Sequence, residues 1–89
     1  MLSKKLEIIN KLGLHARASS QFVTVAQKYE SRIFVEKCEQ RVDGKSMMNL
    51  LLLAAAKNSW ITLEIFGEDE QQAMQELVDL INNKFGEGQ

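Results

Sequence analysis

The apolar residues of this chain switch back and forth between a spacing of two and a spacing of about 3.6 within only 89 residues. That alternation restricts the fold more than any other feature. Leu6 and Ile8 alternate with Lys5 and Glu7, the mark of a strand with one buried face. Ala18, Phe22, Val25 and Tyr29 then recur at helical spacing and predict a helix over residues 16–29. Ile33 and Val35 alternate with Arg32, Phe34 and Glu36 in a second strand; a turn at Lys37–Glu39 leads to a third, ending near Val42. Asp43-Gly44 turns the chain again. Ser46 is a suitable N-cap for a helix containing Met47, Met48, Leu50 and Leu51. Asn58-Ser59 ends that pattern, and Ile61, Leu63 and Ile65 alternate with Thr62 and Glu64 in a fourth strand. After Gly67, Asp69 stands where it would cap a last helix, with Gln72 three residues on. Met74, Leu77, Val78, Ile81 and Phe85 form the buried stripe of that helix, and Gly86 stops it.

The expected order is β-α-β-β-α-β-α. Helices can cover only one face of so small a sheet, so the fold class is α/β (α+β), an open-faced two-layer sandwich. Periodicity does not give the strand order. Residues 1–89 are expected to form a single domain with a modest core and no room for a separate catalytic domain. The absence of proline leaves no candidate linker.

Composition removes several function classes. A net charge of −1 gives no support to nucleic-acid binding, and no basic surface or aromatic base-stacking pair is apparent. The longest apolar run, residues 50–56, is too short to cross a bilayer, and the first residues lack the apolar stretch of a signal peptide. The single Cys38 excludes an internal disulfide and fits a reducing compartment, so a cytoplasmic protein is expected. No second histidine or acid cluster supplies a metal site, and no cofactor is expected. Cys38 has no CxxC partner, and Trp60 is expected to pack against the sheet edge; neither is assigned to a site.

The chemistry lies at the start of the first helix. Leu14, His15 and Ala16 are all poor N-cap residues, which leaves the first amides without an obvious side-chain partner. Arg17 sets a positive charge near the positive end of the helix dipole. A turn so built is relieved by an anion. A neutral His15 imidazole there could accept a phosphoryl group, its charge held by the amides and by the Arg17 guanidinium.

Gly13-Leu14-His15-Ala16-Arg17-Ala18-Ser19, followed by Asp43-Gly44-Lys45-Ser46-Met47-Met48-Asn49-Leu50-Leu51, resembles the HPr family of bacterial phosphotransferase systems over residues 4–85. One departure is Ala18, where the family has proline. The resemblance implies an antiparallel four-stranded sheet covered on one face by three helices. It implies that His15 receives a phosphoryl group on Nδ1 from phosphorylated enzyme I, itself charged by phosphoenolpyruvate, and passes it to a histidine of enzyme IIA. The chain would then be a co-substrate of a relay rather than a turnover enzyme, with Arg17 assisting and the Ala16 and Arg17 amides as donors. Ser46 matches a serine that an ATP-dependent HPr kinase/phosphorylase modifies in many relatives, although capping alone accounts for it physically. The alternatives are a regulatory binding module controlled by Ser46 and a carrier of the nitrogen branch.

The second helix is too apolar for every residue to face inward. Met47, with Met48 or Leu51, is expected to lie exposed beside His15. Arg17 and Lys45, with Lys28 or Lys11, would give this patch a basic rim suited to transient docking on acidic partners. A monomer that does not insert into membranes is expected.

Overall fold

The computed structural model describes residues 1–87. Strands β1 (Leu2–Glu7), β2 (Arg32–Lys37), β3 (Gln40–Asp43) and β4 (Trp60–Phe66) form one antiparallel sheet in the order β1-β4-β2-β3. Helices α1 (Ala16–Ala26), α2 (Met47–Leu53) and α3 (Glu70–Asn82) cover one face, so the element order is that read from the sequence. The 3-10 turn Lys84–Gly86 follows α3. No helix of the described residues is long and apolar enough to cross a membrane.

The strand alternation points Leu6, Ile33, Val35, Ile61, Leu63 and Ile65 inward, where they meet Phe22, Leu50, Leu77 and Ile81 of the helices. Each such side chain contributes roughly 1.5–3 kcal/mol by leaving water. The β2–β3 hairpin closes through Cys38 and Glu39, both left-handed (φ 51° and 69°), as a two-residue turn with its twist demands. Cys38 is exposed at its tip.

Three local expectations need correction. Helix α1 ends at Ala26 rather than near Tyr29, which is half-buried beyond it. Helix α3 ends at Asn82, so Gly86 does not stop it; Phe85 is buried through a separate turn in which Lys84 and Phe85 both take φ 55°. Asp69 is the first residue of α3's cap, but its carboxylate does not close the helix end. It accepts instead from the Glu30 amide (2.9 Å), the Ser31 amide (3.0 Å) and the Ser31 hydroxyl. Glu70 takes over at the α3 start, accepting from the Gly67 amide at 3.2 Å.

On the uncovered face of the sheet the structure shows an aromatic pair that the sequence analysis did not foresee. Phe34 and Phe66 meet edge to face at 5.6 Å. The Arg41 guanidinium lies 3.9 Å from the Phe34 centroid and pairs with Glu64 at 2.8 Å, so the ring is already covered. Trp60 stands on an inner strand rather than packing on an edge, half exposed, with the Lys5 ammonium 5.6 Å from its ring centre.

Candidate functional site at the start of helix α1

The approach to His15 is fixed by a short series of polar contacts. Asn10 is fully buried, and its Nδ2 donates to the Gly13 carbonyl at 2.8 Å while the Gly13 amide donates back to the Asn10 carbonyl at 3.2 Å. Gly13 takes φ +66°, and a Cβ there would stand 2.4 Å from the Ala55 carbonyl oxygen. Only glycine satisfies both demands. This close approach lets the Leu14 amide donate to the Ala55 carbonyl at 2.8 Å, tying the loop to the segment after α2.

His15 itself is the N-cap residue of α1, with an extended backbone (φ −75°, ψ −179°). Its carbonyl accepts the Ser19 amide at 2.8 Å, and the buried Ser19 hydroxyl donates to the Leu14 carbonyl at 3.1 Å. No side chain caps the helix, and its first turn holds no acid. Among the described residues, the amides of Ala16, Arg17 and Ala18 carry no hydrogen bond. Ala18 is fully buried, and with its amide unpaired the α-helix loses no bond where the family has proline.

The His15 side chain remains about a quarter exposed (26 %). It lines a cleft of about 270 Å³ together with Lys11, Leu12, Arg17 and Glu87. His15 and Arg17 are thus brought together as the sequence suggested. Glu87 was not anticipated. Its carboxylate bonds the His15 Nε2 through one oxygen and accepts from the Asn10 Nδ2 at 3.0 Å through the other. Burial alone would raise this carboxyl, but the hydrogen bonds from Asn10 and His15, with the charges of His15 and Arg17, hold it below the ordinary carboxylate range. No described residue bonds the His15 Nδ1.

Helix α2 starts differently. Ser46 is extended (φ −116°, ψ 112°), and its hydroxyl accepts the Asn49 amide at 3.3 Å. Leu50 and Leu53 are buried, whereas Met47, Met48 and Leu51 are exposed, joined by Leu52 and, in the His15 cleft, by Leu12. Leu52 and Leu12 were missed; the unbroken apolar run hides which leucine faces out.

Helix α2 runs back along α1, since Ala55 beyond its end bonds Leu14 while Lys45 before its start bonds the Tyr29 carbonyl at 2.5 Å. Lys45 therefore sits with Lys28, whose ammonium pairs with Glu76 at 2.5 Å, at the far end of α1. Eleven helical residues, roughly 16 Å, separate them from His15. The basic groups of the His15 cleft are Arg17 and Lys11. Lys45 and Lys28, expected to rim a patch of Met47, Met48 or Leu51 beside His15, lie towards the other end of α1. Met47, which starts α2 two residues after Lys45, begins at that end and not beside His15.

Residues 2–83 match the family model described as the HPr component phosphorylation site of the phosphotransferase system. The chain belongs to the HPr family of phosphocarriers. It is 55% identical over 89 residues to the phosphocarrier protein HPr of Neisseria meningitidis, covering 100% of both chains. Among solved structures, HPr-C-His from Thermoanaerobacter tengcongensis superimposes with a TM-score of 0.95 at 44% identity, covering 98% of each chain. A structure described as an HPr dimer from the same organism matches with a TM-score of 0.79 at 44% identity, covering 98% of this chain and 100% of that one. These likenesses agree in the family and in the open-faced sandwich with its antiparallel sheet.

Proposed function

We propose that this HPr-type chain accepts a phosphoryl group on His15 from phosphorylated enzyme I and delivers it to a histidine of an enzyme IIA protein or domain. The single observation that carries the reading is an accessible imidazole at a helix start whose first three amides carry no bond from the described residues. A tetrahedral anion on the ring meets those N–H groups and the positive end of the helix dipole. Arg17 adds a full charge at the same place. His15 supplies the covalent bond to phosphorus, and the groups around it supply positioning and charge stabilisation.

The exposed side chains of Leu12, Met47, Met48, Leu51 and Leu52 suit brief docking, because a carrier must leave one partner before meeting the next. Arg17 and Lys11 favour partners with acidic surfaces. The chain acts as a single-domain monomer in the cytoplasm. Phosphorylation of Ser46 by an HPr kinase/phosphorylase is a second, regulatory reading. A phosphate of about −1.5 to −2 charge there would sit at the start of α2 beside Met47 and repel acidic partners.

Incubation with enzyme I and labelled phosphoenolpyruvate tests the main reading. One acid-labile, base-stable phosphoryl group per chain is expected, absent in His15→Ala. Label that is acid-stable, requires ATP and disappears in Ser46→Ala would instead assign the chain to regulation.

A further inference from the structure

We propose that Glu87 is a positioning residue for phosphoryl transfer: it holds the His15 ring by its Nε2–H, so that the lone pair of the neutral imidazole stands on Nδ1. The inference rests on the phosphocarrier reading of His15 and names a group that reading does not use.

An ionised carboxylate can only accept hydrogen bonds. Its contact with Nε2 therefore requires a proton on that nitrogen, and a neutral imidazole carries only one. Nδ1 is left as the nucleophile, and no described residue bonds it. Glu87 is not a loose surface acid, since its side chain is only 12 % exposed. Phe85 anchors the segment in the core, and the left-handed residues Lys84, Phe85 and Gly86 turn the chain back over the His15 loop. Asn10, itself fully buried, holds the second carboxylate oxygen with the same Nδ2 that holds the Gly13 carbonyl. One amide group thus ties the loop carrying His15 to the carboxylate that orients its ring.

The transfer balances without a proton moving. The Nδ1 lone pair of His15 forms a bond to phosphorus of a protonated phosphoimidazole on the donor. The donor's P–N bond breaks, and its ring leaves as neutral imidazole with the electron pair. His15 becomes a phosphoimidazolium whose Nε2 proton stays on the hydrogen bond to Glu87. The bond is stronger when the ring is cationic, so it stabilises the transition state more than the resting state. The same retained proton makes the His15 ring the better leaving group when the phosphoryl group moves on.

Imidazole 15N spectra at pH 9, together with phosphorylation by phosphoramidate, test this on the wild type, Glu87→Ala and Glu87→Gln. Phosphoramidate is a small donor that needs no docking surface. The wild type should show Nε2 protonated, Nδ1 bare, and label on Nδ1 alone. Glu87→Ala should mix the two tautomers, place part of the label on Nε2 and react more slowly by about tenfold, the scale of one charge-assisted hydrogen bond. Glu87→Gln, whose amide oxygen still accepts, should restore the tautomer without restoring the rate. Wild-type tautomer and wild-type rate in Glu87→Ala would overturn the assignment of Glu87 and leave the carrier reading standing. Failure of the wild type itself to take a phosphoryl group would overturn both.

Discussion

Helices α1 and α2 lie side by side on the same sheet, yet their first turns treat identical backbone groups in opposite ways. At α2 the Ser46 hydroxyl takes up an amide of the first turn. At α1 a histidine occupies the corresponding cap position, no side chain closes the turn, and Arg17 opposes the dipole. The first arrangement favours the folded state by about 1 kcal/mol relative to an uncapped helix, and the second forgoes that stabilisation. The contrast supports the proposal that the α1 start receives an anion, since that turn lacks both a capping side chain and an acid. At α2 the hydroxyl occupies one first-turn amide, that of Asn49, whereas at α1 no side chain occupies any.

The contrast can be broken most severely at Arg17. Arg17→Glu should slow transfer between enzyme I and enzyme IIA by roughly a hundredfold, the scale of one lost preorganised donor. Its thermal stability should hold or rise by about 0.3–1 kcal/mol, because an acid suits a helix start. Steady-state transfer assays and melting curves on the same preparation check both halves. Parallel losses in the two would place Arg17 in the fold rather than in the reaction.

Ser46→Ala supplies the converse. It should lower stability by about 1 kcal/mol in denaturant unfolding while phosphoryl acceptance by His15 stays at the wild-type rate. A large drop in acceptance would mean that the two helix starts are not independent.

The smallest effect concerns α3, the third start. The Ser31 hydroxyl and the Glu30 amide hold the Asp69 carboxyl below its ordinary value of 3.8. A depressed value means that the unfolded chain binds the proton more readily. The stabilisation from Asp69 is therefore complete above the ordinary value and is lost as the pH falls through the lower, folded one. Asp69→Asn should flatten the acid side of the stability-versus-pH curve and leave transfer at pH 7 unchanged. An unchanged acid limb would show that those hydrogen bonds do not favour the ionised form.

Much of this was legible in the sequence because it is local. The period-two and helical stripes placed the strands and helices, and the cap chemistry of Ser46 and the missing cap at His15 follow from side chains a few residues apart. What was not legible depends on groups distant in the chain. The sheet order requires β1 to pair with β4, which periodicity does not encode. Asp69 reads as a cap from its own neighbours but is claimed by Glu30 and Ser31, nearly forty positions away. Glu87 reaches His15 only because Phe85 is buried and the turn after α3 is left-handed. Lys45 and Met47 read as neighbours of His15, yet the antiparallel run of α2 along α1 carries the α2 start to the end away from it.

In the proposed phospho-form the group is bonded to His15 and its oxygens accept hydrogen bonds from the open amides of α1, and amide NMR before and after phosphorylation of His15 tests this most directly. The Ala16 and Arg17 amide protons should show the largest downfield shifts in the protein, while the Asn49 amide at the capped α2 start stays in place. Largest shifts elsewhere, with Ala16 and Arg17 unmoved, would contradict the account.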